Sequence, residues 1–344
     1  MIRRTLLAAI AAAALTLVAC GKPAATSGAD HEYVFSILST ESSQNQETNW
    51  QPFLDDMRKQ TGLKIKAFYA PNYFALVQAM AAKQIDLGWF SNKSGLDAVE
   101  RANGEVFVRS SDPSGVDGYF SNIIVPVKSK TTLEDILRCD KTLSFSMGDA
   151  ESTSGTLAPM TYLFGPRNID PDKCFKTLRS ANHDANLQAV ANEVIDAATN
   201  NSTALRLKPD VAARVRVIWQ SPRLPEDPIV WRKDLDPAAK EKLRSFFLTY
   251  GTKPGPDGDR ERAILARLSF GRFMPADDSH LLPVREMSAT RDLIEARNKH
   301  DEPGIRAAQA KLDAIHREQE RVGAAAGQPA PTTEPAMAAA PAKN

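Results

Sequence analysis

Three adjacent hydroxyl side chains form the most chemically distinctive stretch of this chain. Ser152, Thr153 and Ser154 are followed by Gly155 and then by an apolar run that can form a helix. The free N–H groups at a helix N-terminus attract anions, and hydroxyl groups there add hydrogen-bond donors. The stretch therefore indicates a binding site for a tetrahedral oxyanion, although an ordinary Ser/Thr helix cap would have the same residues.

Strands and helices alternate along most of the chain around this stretch. The hydrophobic pattern predicts strands at 33–39, 64–69, 85–89, 106–109, 119–127, 142–146, 176–180, 197–200 and 214–221. It predicts helices at 48–61, 73–83, 132–137, 183–192, 237–250, 263–270, 284–299 and 303–321, and one that begins at Asn92. Repeated β-α-β units favour mostly parallel sheets with helices on both faces. Two such runs joined by extended segments predict an α/β protein with two lobes and a cleft between them.

The loops after the predicted strands are the expected ligand-binding positions. Open α/β sheets bind ligands beyond the carboxyl ends of their strands. The polar residues found there are Thr40, Glu41, Tyr73, Asn92, Ser152 to Ser154, His183, Asn200 to Thr203 and Asp227. This is the pattern expected of a solvated cleft between two lobes.

The charge balance excludes nucleic acid as a partner. The chain of 344 residues has 43 Lys and Arg against 42 Asp and Glu, a formal charge of +1. Removal of residues 1–19, which include Arg3 and Arg4, would change this charge to −1. No basic excess is available to neutralise a phosphate backbone.

The N-terminus has the pattern of an export signal. Arg3 and Arg4 precede an apolar run, 6–18, that is too short to span a bilayer comfortably. The run ends at Leu17-Val18-Ala19-Cys20, which resembles a bacterial lipobox and implies cleavage after residue 19 and lipid attachment to Cys20. A plain signal peptide with a cysteine nearby is the alternative. Residues 20–31 are expected to form a flexible tether, and the Ala/Pro-rich tail 323–344 is expected to be disordered.

Two further cysteines, Cys139 and Cys174, each precede a predicted strand. If those strands are parallel neighbours, the two cysteines meet at one end of the sheet. Because exported proteins fold in an oxidising compartment, a disulfide is one interpretation, and two free buried thiols are the other.

Eight short motifs resemble the phosphonate-binding proteins of bacterial ABC importers. They are Ser39-Thr-Glu-Ser42, Trp50-Gln-Pro-Phe53, Phe68-Tyr-Ala-Pro-Asn-Tyr73, Asp86-Leu-Gly-Trp89, Arg101-Ala-Asn-Gly104, Ser152-Thr-Ser-Gly155, Ala198-Thr-Asn-Asn201 and Asp227-Pro-Ile-Val-Trp-Arg-Lys233. The resemblance implies a type II periplasmic-binding-protein fold. Lobe 1 is expected at 32–124 and 232–300, lobe 2 at 125–231, and a C-terminal helix at 301–322.

The same resemblance implies which side chains bind the ligand. The family's phosphonate-binding positions fall on Ser152, Thr153, Ser154 and His183, two framing tyrosines fall on Tyr73 and Tyr119, and one amine-binding carboxylate falls on Asp227. The family's second amine-binding carboxylate is a glutamate, and Thr203 stands at its position. A threonine cannot neutralise an ammonium group, so the sequence predicts weaker or altered recognition of an aminated phosphonate.

The resemblance also implies a role. We expect a periplasmic or cell-envelope protein, anchored to a membrane by lipid, that needs no cofactor or metal and delivers a phosphonate to an ABC permease. Phosphite, methylphosphonate or another small oxyanion is the alternative ligand. An enzyme acting on a phosphorylated compound and a surface lipoprotein that binds another protein are further alternatives, although the sequence has no Gly-x-Ser-x-Gly elbow, paired-histidine metal motif or Walker loop. The C-terminal helices either pair two copies of the chain or pack on their own lobe.

Overall fold

The computed structural model describes residues 31–115 and 117–325. The predicted signal peptide, Cys20 and residues 20–30 of the tether lie outside the described residues, as does the tail from residue 326. His31, the last residue assigned to the tether, contacts Asp86 with its ring nitrogen 3.1 Å from a carboxylate oxygen. Among the described residues, no helix has both the length and the apolar character needed to cross a bilayer.

The secondary structure follows the predicted alternation closely. The strands are β1 (Glu32–Ile37), β2 (Lys64–Tyr69), β3 (Leu87–Trp89), β4 (Gly104–Arg109), β5 (Ser121–Pro126), β6 (Ser144–Met147), β7 (Thr177–Ser180), β8 (Ala197–Asn201), β9 (Val215–Gln220), β10 (Pro228–Arg232) and β11 (Met274–Pro275). The α-helices are α1 (Ser43–Thr61), α2 (Tyr73–Ala81), α3 (Asn92–Arg101), α4 (Leu133–Leu137), α5 (Pro171–Cys174), α6 (His183–Ala191), α7 (Ser202–Leu207), α8 (Pro209–Ala212), α9 (Pro237–Thr249), α10 (Pro256–Arg267), α11 (Leu282–Asn298) and α12 (Glu302–Ala325). Short π-helical or 3₁₀ turns lie at Thr153–Leu157, Met160–Phe164, Gly165–Arg167 and Asp278–Leu281.

The strands form two sheets, one in each lobe, which confirms the predicted two-lobed α/β fold. The strand order is β11-β4-β10-β3-β1-β2 in lobe 1 and β7-β6-β8-β5-β9 in lobe 2. Strands β1, β2 and β3 are parallel, as are β6, β7 and β8, but β10 and β5 run antiparallel to their neighbours. The sheets are therefore mixed rather than mostly parallel, because the strands that follow each crossing between lobes enter their sheet in the opposite direction.

The two crossings between lobes lie slightly earlier than the sequence predicts. The chain enters lobe 2 between β4 and β5 and returns between β9 and β10, so the expected boundaries at 124/125 and 231/232 fall inside strands that belong wholly to one sheet. The crossing segments pair with each other through two backbone hydrogen bonds between Tyr119 and Leu224, of 3.0 and 2.8 Å. We refer to these two paired crossing segments as the hinge segments.

Each lobe has its own apolar core. In lobe 1, one face of the sheet packs aromatic side chains against α1, α9 and α10, with the Phe107 and Trp231 rings stacked 3.8 Å apart. In lobe 2, the Phe145 and Phe175 rings stack 4.4 Å apart. A disulfide bond joins Cys139 to Cys174, whose Cα atoms are 4.2 Å apart, beside the parallel pair β6 and β7. Burial of these side chains stabilises each sheet independently of the cleft.

The C-terminal helices α11 and α12 form a hairpin that contacts both lobes. On lobe 1, Arg285 lies 3.5 Å from Glu100, and on lobe 2 the Thr161 hydroxyl donates to the Met287 carbonyl at 3.3 Å. Leu293 and Leu312 pack between the two helices. Helix α12 continues to Ala325, so residues 323–325, predicted to lie in the tail, are helical.

Candidate functional site

The hydroxyl stretch folds into a tight turn after β6. Ser152 caps the π-helical turn Thr153–Leu157, and its hydroxyl oxygen accepts a hydrogen bond from the Gly155 N–H at 2.9 Å. Gly148 and Gly155 touch backbone to backbone, so a Cβ on Gly155 would lie 2.7 Å from the Gly148 Cα. Ser152 is therefore both a helix cap and part of a cleft wall, which means that the two sequence interpretations are compatible.

His183 brings a ring nitrogen to two of these hydroxyls. It begins α6, and its Nε2 lies 3.4 Å from both the Ser152 and the Ser154 oxygens. The ring is buried, and its Nδ1 has no hydrogen-bond partner in the described part of the chain. Burial lowers the pKa of His183 to about 4, so the ring is neutral at pH 7. The three side chains together offer hydrogen bonds without a fixed positive charge.

The opposite wall comes from lobe 1 and the hinge. Tyr73 begins α2, and its backbone N–H donates to an Asp149 carboxylate oxygen in lobe 2 at 3.1 Å. Asp227 directly precedes β10 and accepts hydrogen bonds from Asn92 at 3.1 Å and from the Tyr119 hydroxyl at 3.4 Å. Burial, and then the charge of Glu226, raise the pKa of Asp227 well above its ordinary value. A buried carboxylate in this state favours a cationic or hydrogen-bond-donating partner.

These two walls enclose a cavity of about 50 Å³ between the lobes. Seven of the predicted ligand-binding residues line it: Tyr73, Tyr119, Ser152, Ser154, His183, Thr203 and Asp227. Thr153 does not line the cavity, since its hydroxyl accepts a hydrogen bond from the Lys93 backbone N–H at 2.8 Å. The structure thus separates Thr153 from its two neighbours and turns it toward the first turn of α3.

Several lining residues were not singled out from the sequence. They are Leu38, Trp89, Ser91, Ser110, Ala204, Leu207, Glu226, Leu268, Ser269 and Phe270. Asn201, which the sequence placed in a loop after a strand, also lines the cavity and donates to the Ser154 hydroxyl at 3.2 Å. Glu226 adjoins Asp227 in sequence, but adjacency alone does not predict that both carboxylates reach one cavity.

Ion pairs and hydrogen bonds join the two lobes around this cavity. The Lys208 ammonium lies 3.0 Å from Glu41, and the Arg206 guanidinium lies 2.8 Å from Asp112. On the other side, the Ser91 hydroxyl donates to the Glu151 carbonyl at 2.9 Å. These contacts show that the lobes are closed on each other.

The groups around the cavity can be compared with those that metal binding and serine catalysis require. Within residues 31–115 and 117–325, no group of three or more His, Cys, Asp or Glu side chains is arranged to hold a metal ion. Nucleophilic catalysis by a serine needs a base whose second nitrogen is oriented by a third group. The His183 Nδ1 lacks such a partner among the described residues. The arrangement is suited to reversible binding of an oxyanion.

Comparison with known proteins identifies the family. The sequence model for the periplasmic substrate-binding proteins of phosphonate ABC transporters matches residues 35–281. The chain is 42% identical over 264 residues to the phosphonates-binding periplasmic protein of Escherichia coli, covering 75% of this chain and 76% of the relative. It is 26% identical over 251 residues to a probable ABC transporter phosphite-binding protein of Prochlorococcus marinus, covering 68% and 81% of the two chains.

Solved structures show the same fold. The binding-protein component of a phosphonate ABC transporter from Pseudomonas aeruginosa superimposes with a TM-score of 0.77 at 40% identity, over 86% of this chain and 97% of that chain. A Prochlorococcus marinus protein crystallised with methylphosphonate superimposes with a TM-score of 0.65 at 21% identity, over 74% and 96% of the chains. The second likeness is one of fold alone.

Proposed function

The chain belongs to the family of periplasmic substrate-binding proteins of phosphonate ABC transporters, and from that premise we propose that it binds a small phosphonate between its lobes and delivers it to the transporter's permease. The observation that carries the proposal is the convergence of Ser152, Ser154 and His183 on one closed cavity. Among the described residues, no lysine or arginine lines this cavity. Neutral donors can hold a dianion without forming the permanent ion pair that would slow its release.

We assign the phosphonate oxygens to the cradle formed by the Ser152 and Ser154 hydroxyls and the His183 Nε2. Tyr73 and Tyr119 frame the bound molecule. We assign Asp227 and Thr203 to the organic part of the ligand, because they line the same cavity but come from other elements than the cradle. Thr153 acts indirectly, since its hydroxyl is bonded to the backbone of α3.

A smaller oxyanion, such as phosphite or methylphosphonate, is the second candidate ligand. The cradle of Ser152, Ser154 and His183 supports it, since these groups can bind the oxyanion that all of these ligands share. We do not assign an enzymatic activity, because the base of a serine nucleophile would lack its orienting group.

We propose that the mature protein is lipid-anchored through Cys20 in the cell envelope. The lipobox supports this proposal, and labelling with a radioactive fatty acid should modify the wild-type protein and not Cys20→Ser. We also propose that α12 contributes to a homodimer. Light scattering should then give a dimer for the full chain and a monomer for the chain truncated after Asn298. A monomeric full chain, or a dimer after truncation, would contradict the assignment.

Binding of phosphonates by calorimetry tests the central proposal. Wild-type protein should bind methylphosphonate or ethylphosphonate more tightly than sulfate. Ser154→Ala should weaken this binding about tenfold or more, because a hydrogen bond to a charged group contributes roughly 1.5–3 kcal/mol. Ser245→Ala, an exposed hydroxyl deletion on α9, is the matched control and should leave the affinity unchanged. Failure of the wild-type protein to bind any phosphonate or phosphite would refute the proposed function.

A further inference from the structure

A second carboxylate, that of Glu226, lies at the cavity beside Asp227. Its side chain is 8% exposed and lines the cavity. One oxygen, Oε2, accepts a long hydrogen bond of 3.4 Å from the Ser110 hydroxyl. The other oxygen, Oε1, is buried and has no hydrogen-bond partner in the described residues. An unpaired buried acceptor costs free energy, so a donor brought by a ligand would relieve a cost already present in the closed form.

The charges that face Glu226 are mostly negative. Asp112 and Asp117 face it from the crossing segment, and Asp227 adjoins it in the chain. The nearby cations are already paired: the Arg206 guanidinium lies 2.8 Å from Asp112, and the Arg109 guanidinium lies 2.6 Å from Asp117. Among the described residues, neither cation forms an ion pair with the Glu226 or Asp227 carboxylate, so these two groups make this end of the cavity negative when they ionise. The cradle presents hydrogen-bond donors, so the cavity offers both donors and ionisable carboxyl groups.

We propose that Glu226 determines ligand specificity by binding, together with Asp227, a protonated amine carried by the phosphonate. The proposal rests on the proposed function, because the cradle must hold the phosphonate group for the amine to reach this end. It differs from the expectation drawn from Thr203 alone. In this proposal the second carboxylate comes from the hinge segment that precedes β10 rather than from α7. A comparison at the position of Thr203 therefore does not identify it.

The protonation of Glu226 makes the affinity for an aminated ligand depend on pH. Burial, followed by the charge of Asp112, raises the pKa of Glu226 to about 7. At pH 6 the carboxyl is therefore mostly protonated before an amine binds. An ammonium group stabilises the ionised form, so binding releases a proton and affinity for the aminated ligand increases as pH rises toward and above 7. Asp227, whose pKa is also raised, contributes with the same sign.

Two ligands of equal length separate this inference from the proposed function. Aminoethylphosphonate and ethylphosphonate share the phosphonate group and differ by the amine. Wild-type protein at pH 8 should bind aminoethylphosphonate about tenfold or more tightly than ethylphosphonate, since charged hydrogen bonds favour the amine. If both ligands bind with equal affinity, this inference is wrong and the proposed function stands. If neither of them binds but methylphosphonate or phosphite does, this inference is likewise wrong, and if none of the four binds, the proposed function itself is wrong.

Glu226→Gln tests the residue assignment. This change should weaken the binding of aminoethylphosphonate, because it removes an attraction to the amine. It should strengthen the binding of ethylphosphonate, because it removes a repulsion from the dianion. The ratio of the affinities for aminoethylphosphonate and ethylphosphonate should therefore fall to about threefold or less. Calorimetry at pH 6 in two buffers of different ionisation heat should show fewer protons released by Glu226→Gln than by the wild type on binding aminoethylphosphonate. Glu241→Gln, an exposed change on α9, is the matched control for loss of one carboxylate.

A carboxylate introduced at another position of the cavity should restore the preference for the aminated ligand. Thr203→Glu in the Glu226→Gln background returns a negative charge to the cavity from α7 and should restore preference for the amine. Retention of the wild-type ratio by Glu226→Gln would overturn the assignment. Because the wild-type ratio is measured without any variant, the inference remains open to refutation even if Glu226→Gln folds poorly.

Discussion

At the scale of single residues, His183 shows how burial decides what a side chain can do. A histidine near an anion site is often expected to be a cation, but here burial lowers its pKa to about 4. The ring therefore acts as a neutral hydrogen-bonding group between Ser152 and Ser154. Selectivity for a dianion then depends on donor geometry more than on charge.

The titration of His183 can be measured directly. By NMR, its ring should titrate near pH 4, with assignment by comparison with the spectrum of His183→Gln. A bound phosphonate should raise this pKa, because the dianion stabilises the imidazolium form. Since an unfolded histidine titrates near 6.5, unfolded or open forms bind the proton first, and the closed form should lose stability as pH falls from about 6.5 toward 4. A ring that titrates near 6.5 in the closed protein would contradict the observed burial.

At the scale of elements, the turn between β6 and its π-helical segment positions the cradle. Gly148 and Gly155 lie in direct backbone contact, with the Gly148 N–H donating to the Gly155 carbonyl at 3.0 Å. We expect Gly155→Ala to displace the hydroxyls and weaken phosphonate binding about tenfold or more, because its Cβ would lie 2.7 Å from Gly148 and 2.9 Å from the Ser152 hydroxyl oxygen. Such overpacking also costs roughly 1–3 kcal/mol of folding stability.

Calorimetry and thermal unfolding measure the two effects of Gly155→Ala separately. Gly323→Ala is the control, since nothing lies within 4 Å of the added Cβ in α12. It should leave binding unchanged and not lower the melting temperature. Wild-type affinity in Gly155→Ala would show that the turn is more tolerant than its contacts indicate.

Most elements, but only part of the site, could be predicted from the sequence. Periodic apolar residues and capping signals identify long helices such as α1 and the buried strands, because these patterns are local. The short α5, α7 and α8 were missed because a four- to six-residue helix has too few turns to show a periodicity. The orientation of Thr153 and the approach of Glu226 depend on contacts between lobes, which no local pattern contains.

At the scale of the whole molecule, closure couples the two lobes through the oxyanion turn. The Lys93 ammonium, on α3 of lobe 1, lies 2.7 Å from Glu151 of lobe 2 and also contacts Asp97. The Lys93 backbone N–H donates to the Thr153 hydroxyl. Lys93 therefore contacts the oxyanion turn of lobe 2 through both its side chain and its backbone. Burial and the neighbouring Asp97 raise the pKa of Glu151, which shows that the two carboxylates depend on Lys93 for compensation.

Lys93→Met tests this coupling while keeping the apolar stem of the side chain. It leaves Asp97 and Glu151 facing each other with only the exposed Arg101 guanidinium, 3.8 Å from Asp97, as a nearby cation. We therefore expect the open form to gain population and phosphonate binding to weaken about tenfold. Distances between spin labels on the two lobes should lengthen in the absence of ligand and return to the closed value at saturating phosphonate. Lys83→Met removes an exposed ion pair with Asp234 inside lobe 1 and is the matched control. If Lys93→Met leaves both affinity and lobe distance at wild-type values, closure is determined by the hinge and the ligand, and the contacts of Lys93 only accompany it.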